Sequence, residues 1–378
     1  MLMSTSIQQY IADKLEQRKQ ENNFRSLKII TGLTDFYSND YLGFARDEEL
    51  KRRVDAEVKS AGEYLLGSTG SRLLSGNSEY AESVERFLAE FYGAESALIF
   101  NSGFDANYGL LSTLPYRGDT IIYDELVHAS IHDGIRNSRA GSIGFGHNNV
   151  SDLESKLMAA TGLKYVVVES VYSMDGDFAP LEAIAALCQK YKAGLIVDEA
   201  HAVGISGEHG KGVVCDLKLE NECLARINTF GKAVGAHGAV VLCNDDLKVF
   251  MINYCRPFIY STSLPFHSLA TIKCAHQFLL EADNRRADLS ALIDAFRNQF
   301  KGQTKYALTV GNSPIQSLIV VGNERVKQIA QQIQHAGFDV RAILYPTVAR
   351  GKERIRICIH SFNSKQEVIK LAEVINSL

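Results

Sequence analysis

Short apolar runs separated by helix-length segments recur through the middle of this chain, and no other feature limits the fold as much. Residues 97–100, 120–123, 165–169, 195–198, 226–229 and 239–242 each read as a strand rich in apolar and β-branched side chains. Strands of this kind, alternating with helices, predict a mostly parallel, doubly wound α/β sheet. Pro180 suits the first turn of a helix that runs to Lys192, and Gly194 is expected to end it. Further upstream, Val84, Phe87, Leu88 and Phe91 fall at helical spacing, with Gly93 where a C-terminal cap belongs.

Beyond residue 264 the pattern changes. A long helical stretch leads into strands expected at 316–321, 339–343 and 354–359, with a helix at 324–336 between the first two. A closing helix opens on the capping box Ser364-Lys365-Gln366-Glu367 and buries Val368, Leu371, Ala372 and Ile375. A chain of 378 residues is long for a single core. The expected organisation is an N-terminal arm (1–45), a large α/β domain (46–280) and a smaller α+β domain (281–378). Residues 7–24 are charged and poor in apolar groups, which suits an arm lying against a partner subunit.

Composition narrows the function. With a formal charge of −4 there is no basic surplus for a nucleic-acid backbone. The seven cysteines include no C-x-x-C pair and read as reduced thiols. Residues 1–23 read as a polar helix rather than a signal peptide, and no apolar run reaches the ~20 residues of a membrane span. A cytoplasmic protein that binds neither nucleic acid nor membrane is the expectation.

The chemistry gathers at predicted strand ends. The run 195–198 finishes in Asp198-Glu199-Ala200-His201, and the next strand leads through Thr229 to Lys232. Ligands of open α/β sheets bind beyond the carboxyl ends of the strands. A lysine amine forms a Schiff base with an aldehyde, which is how pyridoxal 5'-phosphate (PLP) is held. That cofactor also needs an acid opposite its pyridine nitrogen, for which Asp198 is the candidate. Ser102, Gly103 and Phe104 open a helix after a strand and suit its phosphate, while His128 is placed to cover the ring. The same Asp-Glu-Ala-His string occurs in helicase ATPases, but the G-x-x-x-x-G-K-[ST] loop that such enzymes require is missing. Dinucleotide, zinc-protease and α/β-hydrolase motifs are missing as well.

The segments SNDYLG (38–43), NSGFDAN (101–107), ESVYSMDGD (169–177), VDEAH (197–201) and TFGK (229–232) resemble those of the α-oxoamine synthases, fold-type-I PLP enzymes. The resemblance spans nearly the whole chain. It implies a large, mostly parallel seven-stranded-type sheet domain with a smaller α+β domain. It also implies a decarboxylating condensation of an amino acid with an acyl-CoA or acyl-carrier-protein thioester. L-Alanine with a pimeloyl group is the expected pair. Members using glycine with a short acyl group or serine with a long one, and a catalytically inactive scaffold, remain the alternatives.

By the same resemblance, Lys232 holds the cofactor aldehyde, Asp198 meets the pyridine nitrogen and His128 stacks on the ring. Ser173 and His201 lie near the phenolic oxygen, and Gly103, Phe104 and Thr229 surround the phosphate. Asn39 and Arg356 hold the substrate carboxylate, and Arg25 meets the acyl end. The family pattern also implies a homodimer, in which Thr262 of the neighbouring subunit reaches the phosphate. Departures at Asn77, Tyr80, Phe266 and Ala239 spare every one of these groups.

Overall fold

The computed structural model describes residues 6–27, 29, 31–300, 305–309 and 311–378. They form two compact units: one comprises 39–173 and 177–288, the other the described residues of 1–38, 174–176 and 289–378. In chain order the strands are β1 (Thr34–Asp35), β2 (Ser96–Phe100), β3 (Thr120–Asp124), β4 (Gly141–Phe145), β5 (Lys164–Glu169), β6 (Ala193–Asp198) and β7 (Cys223–Thr229). There follow β8 (Ala239–Cys243), β9 (Leu308–Thr309), β10 (Ile315–Ile319), β11 (Phe338–Asp339), β12 (Arg341–Ile343) and β13 (Arg354–Cys358).

The first unit is built on a seven-stranded sheet in the order β2-β8-β7-β6-β5-β3-β4. Neighbours from β4 through β7 pair in parallel, whereas β8 runs antiparallel to β7 and β2. The reversal follows from the short connection after β7, since a parallel return needs a crossover of a dozen or more residues. Val166, Val167 and Val168 on β5 and Leu195, Ile196 and Val197 on β6 are almost wholly buried. Each such side chain contributes about 1.5–3 kcal/mol relative to exposure.

Every central strand expected from the sequence forms, each slightly longer than predicted. The seventh, β4, went unpredicted because its sequence, GSIGF, has no apolar run; it lies at the sheet edge and buries only Phe145 fully. Gly194 corrects another expectation. The helix Leu181–Tyr191 has Pro180 at its N-cap and ends on Lys192 in the left-handed region, while Gly194 lies inside β6. A β-carbon there would meet Leu224 Cδ2 at 2.6 Å, so this glycine makes room for the neighbouring strand.

The second unit contains the antiparallel sheet β12-β13-β10-β9 and the parallel pair β1-β11. The strand expected at 339–343 divides at the buried Val340, so that β11 pairs with β1 and β12 with β13. The closing helix Lys365–Ser377 has both hydrogen bonds of its capping box and buries the four predicted side chains. The expected N-terminal helix spans Ile7–Gln20 and buries no side chain; residues 1–5 lie outside the described residues. Among the described residues no helix is long and apolar enough to cross a membrane.

One acid in the first unit is buried where helical periodicity gives no hint of it. Glu85, on the helix Glu79–Phe91, is 2% exposed. It accepts from Ile99 N at 3.0 Å and from Arg72 Nη1 at 2.8 Å, with Lys248 Nζ at 3.3 Å. Removing the acid would leave a strand N–H and a guanidinium without their acceptor. Glu85→Ala is therefore expected to cost about 3 kcal/mol. A denaturant-unfolding midpoint close to that of wild type would contradict this account.

Candidate active site

A cleft of about 240 Å³ lies within the first unit at the carboxyl ends of β2, β5, β6 and β7. Asn39, Gly103, Phe104, His128, Asp198, His201, Thr229 and Lys232 all line it, so most of the predicted site residues meet there. Ser173 is buried on the loop after β5 and does not line the cleft. Thr262 is exposed, and its carbonyl accepts from Asn101 Nδ2 at 2.8 Å. Arg25 and Arg356 belong to the second unit. There Arg25 Nη2 donates to Thr347 Oγ1 at 3.0 Å, and Arg356, on β13, is 8% exposed with Nη1 3.0 Å from Cys358 Sγ.

Lys232 sits on the tight connection between β7 and β8. Phe230 N bonds Gly238 O at 3.0 Å, Ala236 N bonds Phe230 O at 2.8 Å and Gly235 N bonds Lys232 O at 2.9 Å. Lys232 Nζ lies 2.8 Å from His201 Nε2, and His201 Nδ1 lies 2.9 Å from Tyr41 Oη. Tyr41 in turn donates to Asn39 Oδ1 at 3.1 Å. With the tyrosine proton given to Asn39, the Nδ1–H tautomer of His201 completes the chain and leaves Nε2 to accept from the lysine.

Asp198 faces the same cleft from the end of β6 and is 4% exposed. Its Oδ1 accepts from Ala200 N at 2.9 Å and its Oδ2 from Asn107 Nδ2 at 2.7 Å. The same Asn107 amide reaches Ser130 Oγ at 3.1 Å, and Ser130 Oγ lies 2.8 Å from His128 Nδ1. His128 caps the helix Ala129–Asn137, its Nδ1 accepting from Ser130 N at 3.2 Å. His128 keeps part of its surface exposed, and loss of water over the rest of the ring lowers its pKa, opposed by the charge of Asp198. Neutral imidazole is the form this environment favours.

At the third corner, Ser102 caps the helix Gly103–Thr113 through a bond from Asp105 N to its Oγ. A β-carbon on Gly103 would meet Thr229 Cγ2 at 2.3 Å, so the backbone and Thr229 lie closer together than any other residue type permits. Thr229 Oγ1 is buried, and no protein group bonds it. A helix N-terminus beside an unsatisfied hydroxyl is suited to an anion such as phosphate. An amine, an acid and an imidazole occupy the rest of the cleft, a donor set that fits PLP. Among the described residues no cluster has the makings of a metal site.

Sequence reasoning gave no role to Asn107, Ser130, Tyr41, His237 or Glu169. Glu169 ends β5 opposite Asp198 in the sheet register, so an acid at the end of an apolar run was a signal available for it as well. It is 2% exposed, and its Oε1 has no hydrogen-bond partner. Burial, reinforced by the charge of Asp198, raises its pKa well above the ordinary carboxyl value.

The chain belongs to the aminotransferase class I and II family, whose model matches residues 31–375. Its architecture is that of the fold-type-I PLP transferases. The 8-amino-7-oxononanoate synthase of Emericella nidulans is 40% identical over 97% of this chain and 94% of its own length. The structure of a serine palmitoyltransferase variant from S. paucimobilis with a bound PLP-myriocin aldimine superposes with a TM-score of 0.87. The two are 28% identical, covering 97% of this chain and 96% of that one. The crystal structure of Francisella tularensis 8-amino-7-oxononanoate synthase gives a TM-score of 0.77 at 27% identity, covering 92% and 98%.

The burial of Glu169 has a measurable pH signature. Its folded pKa lies above the unfolded value, so the folded chain holds a proton that the unfolded chain has lost. The stability contributed by that proton is complete below the unfolded pKa of ~4.5 and drains away as pH rises towards the folded value. Glu169→Gln has no such proton to lose. The melting temperature of the cofactor-free variant should therefore gain on wild type progressively as pH rises from about 4.5 towards neutrality. A gap that stays constant across this range would refute the assignment.

Proposed function

We propose that this chain catalyses the PLP-dependent, decarboxylating condensation of L-alanine with a pimeloyl thioester, giving 8-amino-7-oxononanoate. One observation carries the reading. Lys232, Asp198 and His128 converge from separate strand ends on a single cleft, in a chain 40% identical to an enzyme of that name. The acyl group is carried by CoA or an acyl carrier protein.

Bound PLP supplies an electron sink for the charge that develops at the α-carbon of the amino acid. Lys232 Nζ would hold the aldehyde and, as a free amine, would serve as the base that removes the α-proton of the amino acid. The contact with His201 Nε2 keeps that amine in one place. Asp198 opposes the pyridine nitrogen and retains its proton, and His128 covers the ring. Gly103 and Phe104 N–H groups with the Thr229 hydroxyl would bind the phosphate, and His201 would lie near the phenolic oxygen, with Ser173 on the loop after β5 as the further candidate there. Asn39 is the candidate for the alanine carboxylate, and Arg356, whose guanidinium fork suits that task, and Arg25 are the substrate-binding candidates of the second unit. The new bond joins the alanine α-carbon to the thioester carbonyl carbon. The thiol leaves, the carboxyl group departs as carbon dioxide, and the α-carbon regains a proton.

The working form in this reading is a cytoplasmic homodimer in which Thr262 of one copy reaches the phosphate site of the other. Exposed apolar side chains support the pairing: Leu65, Leu66, Leu73 and Leu74 lie on the segment before the helix Glu79–Phe91, and Ile7, Tyr10 and Ile11 lie on the N-terminal helix. The high structural similarity to serine palmitoyltransferase favours condensation of serine with a long acyl thioester as the second reading.

Thiol release distinguishes the two when pimeloyl and palmitoyl thioesters are each offered with alanine, glycine and serine. Pimeloyl thioester with alanine is expected to be preferred, and a preference for any other pair would replace the proposal. Lys232→Ala should still take up PLP but lose turnover by at least about 10³-fold. Substantial residual turnover would exclude the lysine as the base.

A further inference from the structure

The loops after β3 and β5 are linked by a side chain that the proposed chemistry leaves unused. His147 follows β4, and its two ring nitrogens face two different acids. Nδ1 lies 3.0 Å from Asp124 Oδ1, and Nε2 lies 2.6 Å from Asp177 Oδ2. Asp124 ends β3 and is wholly buried; Asp177 lies on the loop after β5. A carboxylate can only accept, so both ring nitrogens must donate, and only the imidazolium form donates from both. Burial by itself lowers the His147 pKa, but the bonds and charges of Asp124 and Asp177 outweigh it and push it up to about 10.

The adjacent residue makes the same link. Asn148 donates from its backbone to Asp124 Oδ2 at 2.8 Å and from its side chain to Asp177 Oδ2 at 2.8 Å. It does so at a φ of 53°, a left-handed conformation that asparagine tolerates better than most residues. The Tyr172 ring meets His147 edge to face at 4.4 Å.

Both acids shape the backbone beside a candidate site residue. Asp124 Oδ1 accepts from Leu126 N at 2.8 Å and Asp124 O from Val127 N at 3.2 Å, immediately before His128. Asp177 O accepts from Tyr172 N at 3.0 Å, immediately before Ser173. We propose that His147 is a positioning residue, a doubly paired imidazolium that holds the His128 loop and the Ser173 loop at a fixed separation. The inference rests on the reading above, in which His128 and Ser173 face the same cofactor. A neutral side chain at position 147 leaves two acids confronting each other across the gap, and the loops drift apart.

The test compares wild type with His147→Gln and Asp177→Asn. PLP affinity is measured by titration, the visible circular dichroism of bound PLP at saturation, and folding by thermal melts. Asp177→Asn leaves the Asp124–His147 pair intact, so it decides the question if His147→Gln does not fold. Loss of one charge-assisted bond is expected to weaken PLP binding about tenfold. It should also alter the visible dichroism at saturating PLP, a change that reduced stability alone does not produce. Unchanged affinity and dichroism in a folded Asp177→Asn protein would remove the clamp and leave the functional reading standing. A wild-type chain that takes up no PLP would remove both.

Discussion

The candidate site depends on keeping a carboxyl group at the buried end of a strand. Asp198 ends an apolar run packed on both sides by other strands, and a polar group there is costly unless it is hydrogen-bonded. The turn after β6 supplies one donor, Ala200 N, and the helix after β2 supplies the other, Asn107. Because Asn107 also engages Ser130, and Ser130 engages His128, satisfying one acid places an imidazole on a different loop. Three connections are thereby aligned by a single demand for hydrogen bonds.

Lys232 is positioned by a steric constraint. Gly235 adopts a φ of 65°, and a β-carbon there would lie 2.5 Å from Ala45 N and 2.7 Å from Phe44. The connection between β7 and β8 can therefore press against the segment that follows Asn39 and Tyr41, the two residues that continue the hydrogen-bond chain from His201. Phe230 is fully buried beneath it, with its ring 5.0 Å from that of His276. A lysine on a loop anchored in this way has little freedom to leave the cleft.

What was legible in the sequence followed from how directly a residue type reports its surroundings. Strands β5, β6 and β8 announce themselves because valine and isoleucine runs have few alternatives to burial in a sheet. The edge strand β4 does not, since its pairing to β3 comes from backbone groups that any sequence possesses. Asp198 and Lys232 were recognisable because polar groups at the ends of apolar runs need an explanation. Glu169 met the same criterion and lay within a quoted motif, yet its place opposite Asp198 appears only in the strand register. Gly194 was misread because a helix cap and a strand neighbour's packing demand leave the same letter. For Arg356, a charged residue within a strand, pattern alone does not report burial; the side chain is 8% exposed on β13.

The pair Glu169 and Asp198 shows why two acids side by side need not carry the same charge. They are register partners at the ends of adjacent strands, so ionising both would set two charges against each other in a poorly solvated site. The hydrogen bonds break the tie. Asp198 accepts at both oxygens, whereas Glu169 Oε1 has no donor, and for Glu169 burial and the charge of Asp198 outweigh the charge of Lys232 and the backbone hydrogen bonds from His128 and Ser173. The proton therefore belongs with Glu169. A protonated Glu169 adds no repulsion to Asp198. The two acids at neighbouring strand ends thus differ in character, one hydrogen-bonded at both oxygens and the other kept neutral by its burial.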